Sequence, residues 1–224
     1  MNLHLFEKFI LIALDQKSGR FLIDALSLNY GLAGAVLLEL SEENKIVIRN
    51  KKIEIIDQKL TNNKVFDSTI ELLKKTKKNR KARYWIYKIG NKSSDYKKII
   101  LQDLYNRKIL KTEIRKFLWG LIQVKRYPIM NQKIVEDIKA KLKKVVLDAQ
   151  KPDIDTLLLL SLMASCKLTR VLFRTKKEHR EAQKRIKDLT RDIEISDVVS
   201  QTLKEIQTAV LVATTSAFVT SSSS

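Results

Sequence analysis

Only five glycines and two prolines (Pro128 and Pro152) occur in the 224 residues of this chain. A many-stranded fold needs frequent tight turns, and tight turns draw on these two residue types. Their scarcity directs the chain toward long helices with short connections. An apolar content of 44% over this length is enough for one domain with a full core.

The periodicity supports that reading. Leu3 to Leu14 is apolar on nearly every side, as in a helix at the centre of a bundle. Leu22 to Tyr30 is an amphipathic segment, and Gly31 to Leu40 reads as a second buried helix. There Gly31, Ala33, Gly34 and Ala35 leave room for a close neighbour. Lys45–Arg49 and Lys52–Ile56 alternate around Asn50-Lys51, the pattern of a hairpin. Helical faces follow at Phe66, Ile70 and Leu73, and at Ala82, Trp85, Ile86 and Ile89, with a further helix running to about Arg107. Ile109–Thr112 and Lys116–Val124 look extended. An amphipathic helix over Gln132–Ala149, a Leu157–Phe173 helix, a charged helix over Lys176–Asp192 and a closing helix over Val198–Val219 complete the chain. The expected fold is mainly α: a single globular domain over residues 1–220, a helical bundle ringed by amphipathic helices with two small β-hairpins. Ser221–Ser224 is expected to be a disordered tail.

The one cysteine, Cys166, lies in an apolar run and reads as a small buried hydrophobe. It has no partner for an internal disulfide, and this favours a reducing, cytoplasmic setting. The N-terminus lacks the basic and small-residue features of a secretory signal. The longest strongly apolar stretches, Thr156–Cys166 and Ala209–Val219, are about half of the roughly 20 residues a spanning helix needs. Any membrane contact is therefore expected to be peripheral. Chemistry is sparse. His4 and His179 fall in no metal-ligand spacing, and no phosphate-binding glycine loop or nucleophile elbow occurs. The paired acids Glu42-Glu43 and Asp153/Asp155 fit helix ends. No catalytic residue, cofactor or metal is expected, and the chain does not read as an enzyme.

Charge is the feature left to explain. Of a formal net charge of +19, residues 73–144 carry +18, from 23 Lys and Arg against 5 Asp and Glu; residues 1–72 carry −1. A one-sided block of this size implies an anionic partner. Its densest run, Lys74 to Arg83, holds seven cations in ten residues and leads into Tyr84-Trp85-Ile86-Tyr87. Cations beside aromatics suit nucleic acid, and they equally suit an acidic lipid surface. The plain alternative is a solvated loop with Trp85 turned into the core.

Leu11-Ile12-Ala13-Leu14-Asp15, Ser18-Gly19-Arg20, and above all Tyr30-Gly31-Leu32-Ala33-Gly34-Ala35-Val36-Leu37-Leu38-Glu39-Leu40 occur in an order that resembles the Golgi phosphoprotein 3 family. The likeness continues through the hairpin, Asp67–Leu73, Trp85, Leu101–Leu110, Arg126-Tyr127-Pro128 and Leu157–Cys166, so it covers nearly the whole chain. It implies a four-helix bundle ringed by amphipathic helices and peripheral membrane binding through a basic face. In eukaryotic members that face holds phosphatidylinositol 4-phosphate, and the protein is an adaptor for membrane enzymes. The family's pocket positions fall here at Asp24, Ala33, Ser94 and Lys97, and only Lys97 keeps the charge. Acidic lipid head-groups are then expected at Lys97, Lys98, Arg20, Arg80, Lys81 and Arg83. The resemblance ties the loop 117–127 to shallow insertion and self-association, through Trp119, Leu121, Val124, Lys125 and Arg126; an ordinary hairpin packed on the domain is the alternative.

The expected partners are an acidic lipid surface, membrane-enzyme clients and a second copy of the chain. The competing reading is a nucleic-acid-binding protein, because Gly31–Leu40 followed by Lys45–Ile56 superficially resembles a winged helix. The −1 charge of residues 1–72 opposes it. Four or five cations near an acidic surface contribute about 1 kcal/mol each, which by itself is millimolar-class binding. Stable recruitment then needs a second signal, from insertion or self-association.

Overall fold

The computed structural model describes residues 2–76, 78–173, 175–192 and 197–221. In chain order the elements are α1 (Leu5–Ala13), α2 (Ala25–Glu42), β1 (Ile46–Arg49), β2 (Lys52–Ile55), α3 (Lys64–Lys74), α4 (Ala82–Gly90), α5 (Ser93–Asn106), β3 (Glu113–Phe117), β4 (Ile122–Arg126), α6 (Gln132–Leu147), α7 (Ile154–Ser165), α8 (Lys176–Asp192) and α9 (Asp197–Ser221). The fold is the expected mainly helical domain with two antiparallel hairpins, β1–β2 and β3–β4. Of the expected serine tail, 222–224 lie outside the described residues.

Helix α2 is the centre. Every residue from Tyr30 to Ser41 is buried, and α1, α4, α7 and α9 pack around it. The close approach foreseen at its small residues is real: a Cβ on Gly31 would lie 2.3 Å from the Phe9 ring and 2.6 Å from Cys166 Sγ. Three helices start on side chains suited to the task. Asp24 accepts from Ser27 N at 2.8 Å, Asn63 from Val65 N at 2.9 Å, and Asp153 from Thr156 N at 2.9 Å. Desolvation works against the Asp153 carboxyl, but Lys141 and Thr156 hold it down at about 2.

Several boundaries differ from the sequence expectation. Residues 22–40 do not divide at Tyr30, because α2 runs unbroken from Ala25. A glycine inside a helix is tolerated when packing on all sides replaces the stability it lacks. The Leu157–Phe173 helix instead breaks. Helix α7 ends at Ser165, Lys167 adopts a left-handed φ of 56°, and a single tight turn covers Leu168–Val171. That reversal returns Leu168 and Phe173 to the core. His179 on α8 is half-buried, with Nδ1 3.4 Å from Thr169 Oγ1. The extended stretch Lys116–Val124 splits into β3 and β4 around Leu118-Trp119-Gly120, and Ile109–Thr112 contributes only an isolated bridge from Leu110 to Ile129.

Trp85 and Cys166 are both in the core. Burial pushes the Cys166 thiol far above its ordinary pKa, so little thiolate exists to react. The native protein is expected to resist a maleimide reagent and to take up one equivalent after denaturation. Rapid labelling of the folded chain would contradict this burial.

Candidate functional site

Two antiparallel strands, β3 and β4, pair from Glu113 with Arg126 to Phe117 with Ile122, and the hairpin closes at Leu118–Leu121. Its tip is apolar and lies in solvent. Trp119 is 101% exposed and Leu121 84%, and Leu118 and Ile122 are also exposed. Leu118 and Trp119 both sit at positive φ, 49° and 53°. A bulky side chain in that region costs about 1–2 kcal/mol, which no packing here repays. Arg115 and Lys116 on β3 stand just behind the tip, whereas Lys125 and Arg126 on β4 pair with Ile114 and Glu113 at the root end. Val124 and Arg126 are half-buried, and Lys125 is exposed.

The hairpin root is fixed to the domain. Tyr127 N donates to Gly19 O at 2.9 Å, Ile129 N donates to Gln16 O at 3.0 Å, and the Phe21 and Tyr127 rings meet at 6.3 Å. Arg20 is an exposed member of this same turn.

A second cationic surface forms where the turn end of β1–β2 meets the start of α4. Asn50 and Lys51 take φ of 51° and 63°, the conformation of a tight hairpin turn. Ile53 N donates to Arg80 O at 2.9 Å, tying the strand to the α3–α4 connection. Between them lies a groove of about 880 Å³ with five cations, Lys52, Lys78, Arg80, Lys81 and Arg83, and with Tyr84 and Tyr87 on its helical wall. The Arg80 and Arg83 guanidinium groups lie 5.4 Å and 5.7 Å from the centres of those two rings.

The expected head-group residues are thus distributed. Arg80, Lys81 and Arg83 come together. Lys97 is half-buried on α5, where its Nζ donates to Asn29 Oδ1 at 3.0 Å and burial lowers its pKa. It is connected to the groove through neighbours, since Tyr30, beside Asn29, meets Tyr87 edge-on at 5.2 Å. Lys98 lines a different cleft, with Asp95, Asp103 and Arg107. Among the family's pocket positions, Asp24 caps α2, Ala33 is fully buried in the core and Ser94 is exposed. Sequence reasoning missed Lys52, which is 22 residues before Lys74. The hairpin turn ahead of it was the signal that could have brought it in.

The structure also joins three ligand-type side chains, His4, Glu39 and Glu43, whose ligand atoms lie within 4.8 Å of one another. His4 Nδ1 is 2.8 Å from Glu39 Oε1, Glu39 Oε2 accepts from Leu5 N at 2.9 Å, and Asn63 Nδ2 donates to His4 Nε2 at 3.1 Å. With Asn63 Oδ1 already capping α3, that amide must face the ring. Both ring nitrogens are then occupied in fastening α1, α2 and α3 together. The Glu39 hydrogen bond raises the His4 pKa.

These features define a class: a helical domain with an enclosed central helix, a cationic groove and a projecting apolar hairpin. Among the described residues no helix is long and apolar enough to cross a membrane. The chain belongs to the Golgi phosphoprotein 3 (GPP34) family, whose sequence model matches residues 5–210. It is also similar to the vacuolar protein sorting-associated protein 74 of Schizosaccharomyces pombe (strain 972), with 26% identity over 166 residues. That match covers 65% of this chain and 48% of the relative, so the chain spans about half the length of the curated protein it matches.

Proposed function

We propose that this chain is a non-catalytic, peripheral membrane protein that docks on acidic phospholipid through its basic surface and inserts the β3–β4 tip. The observation that carries the reading is the tip itself: Trp119 and Leu121 in water, on a strained turn, with cations along the strands behind it. An apolar wedge with a cationic collar matches the interfacial zone of an acidic bilayer, where indole rings reside and Lys and Arg meet head-groups. Arg20, exposed on the turn that seats the hairpin, and the exposed Arg80, Lys81 and Arg83 supply further attraction as the surface approaches; Lys97, bonded to Asn29, and Lys98, in a separate cleft with Asp95 and Asp103, add less. The family name and the vacuolar sorting name of the relative fit a role in membrane traffic. An adaptor that links membrane enzymes to this surface is the matching cellular role.

The nucleic-acid alternative loses its recognition element. Helix α2, which would have to enter a groove, is enclosed from Tyr30 to Ser41 and has no free face there.

Vesicle sedimentation tests the proposal. At about 0.01 M salt, where the screening length is about 30 Å, vesicles containing phosphatidylserine are expected to pellet the protein at least a hundredfold better than neutral phosphatidylcholine vesicles. The preference should shrink as salt rises. Equal pelleting with both vesicle types would refute it.

A further inference from the structure

We propose that the groove between the β1–β2 turn and the start of α4 is a discrete binding site for a ligand carrying two or more phosphoryl groups. For a lipid-borne ligand this deepens the membrane reading above and rests on it; for a soluble one it stands alone.

Lys52, Lys78, Arg80, Lys81 and Arg83 line one concavity, and none of them forms an ion pair among the described residues. The acids on the adjoining elements are already engaged: Glu54 on β2 pairs with Arg49 at 3.5 Å, and Glu71 on α3 with Lys74 at 2.9 Å. Helix α4 begins at this point without a capping side chain and without an acid in its first turn, so its positive end adds to the same field. All five cations are exposed, so no folding requirement accounts for gathering them.

Geometry then selects the ligand. A phosphomonoester carries about −1.5 to −2 at neutral pH, so one phosphoryl group leaves most of the five positive charges unmatched, and two or three balance them. Arg80 and Arg83 lie near the Tyr84 and Tyr87 rings without an ion-pair partner among the described residues, so their guanidinium N–H groups remain available to donate in bidentate fashion to phosphoryl oxygens. The backbone of the walls is held by the Ile53–Arg80 hydrogen bond and the Lys52–Lys81 bridge, so the ordering on binding falls on the side chains alone.

Calorimetry with inorganic phosphate, pyrophosphate and tripolyphosphate, at roughly 0.15 M salt, reads the site without a membrane. Affinity is expected to rise at least tenfold from phosphate to tripolyphosphate, and Lys52→Gln/Arg83→Gln to lower tripolyphosphate affinity at least tenfold, as for loss of charge-assisted contacts. Lys133→Gln, an exposed charge loss on α6, should change it by less than about twofold. Equal affinity for the three anions, or an equal loss in Lys133→Gln, would overturn the proposal. Vesicles carrying phosphatidylinositol bisphosphate, compared with charge-matched phosphatidylserine vesicles, identify the source. A preference abolished in the double variant supports a lipid head-group. Tripolyphosphate binding without that preference supports a soluble ligand. Tighter binding of a single-stranded oligonucleotide than of tripolyphosphate, lost in the same variant, would overturn it in favour of nucleic acid. Failure of hairpin insertion leaves the calorimetric result standing, and failure of the calorimetric result leaves hairpin insertion standing.

Discussion

Gly19→Ala is expected to destabilise the protein by about 4 kcal/mol and to lower its melting temperature by roughly 10 °C. Gly19 sits at φ +64°, and a Cβ built there would lie 2.2 Å from Pro128 N and 2.3 Å from Tyr127 C. These are backbone atoms, so no side-chain rotation relieves the clash. The left-handed backbone adds about 1–2 kcal/mol for a residue with a Cβ. Moving the 127–129 segment away forfeits the Tyr127–Gly19 and Ile129–Gln16 hydrogen bonds, at about 1 kcal/mol each, and the remainder comes from repacking around Phe21. Against a total stability on the order of 5–15 kcal/mol, the loss is large. Thermal unfolding followed by circular dichroism measures it, with the exposed neighbour variant Lys17→Ala as a reference expected within about 0.5 kcal/mol of the parent. A Gly19→Ala protein as stable as that reference would mean that the hairpin root is not seated on this turn. Because the same contacts aim the β3–β4 hairpin, whatever folded fraction survives should also bind acidic vesicles more weakly.

The sequence carried some of this architecture and concealed the rest for identifiable reasons. The β1–β2 hairpin was legible because Ile46, Ile48, Ile53 and Ile55 alternate on either side of Asn50-Lys51, where the asparagine tolerates positive φ. Helix α8 was legible because Ala182, Ile186 and Leu189 form a narrow stripe in an otherwise charged segment, and all three are buried. The end of α7 was not. Cys166, Lys167 and Leu168 have no local reason to stop a helix, and only the packing of Leu168 and Phe173 selects the reversal at Lys167. The hairpin tip was half legible. Its residues were named, but leucine and tryptophan are poor markers of a left-handed turn, so the sequence left open whether they pack on the domain. The cationic groove shows a third limit. A charge run reveals its own members, yet Lys52 joins them only through a strand pairing that no local window contains.

Replacing Trp119 and Leu121 together by serine should reduce partitioning onto acidic vesicles about a hundredfold while leaving the melting temperature unchanged. The stability half follows from exposure. Neither side chain buries enough surface in the free protein to contribute to folding, and surface substitutions of this kind stay within about 0.5 kcal/mol. The binding half follows from transfer. Fully burying an apolar side chain is worth about 1.5–3 kcal/mol, and partial immersion in the interfacial zone brings the pair to about 3 kcal/mol, or two decades of affinity. Added to about 4–5 kcal/mol from the cations, insertion lifts the association from millimolar toward micromolar class. Salt separates the two contributions: the variant should keep the electrostatic part and lose it steeply as salt rises, whereas the parent keeps a salt-resistant remainder. An indole emission shift on adding vesicles reports insertion, though Trp85 also emits and its core position makes it a constant background. Unchanged partitioning in the double variant would exclude insertion. A loss of oligomer mass in its place would assign the tip to contact between copies of the chain, because the same apolar surface cannot be buried in a partner and in a bilayer at once.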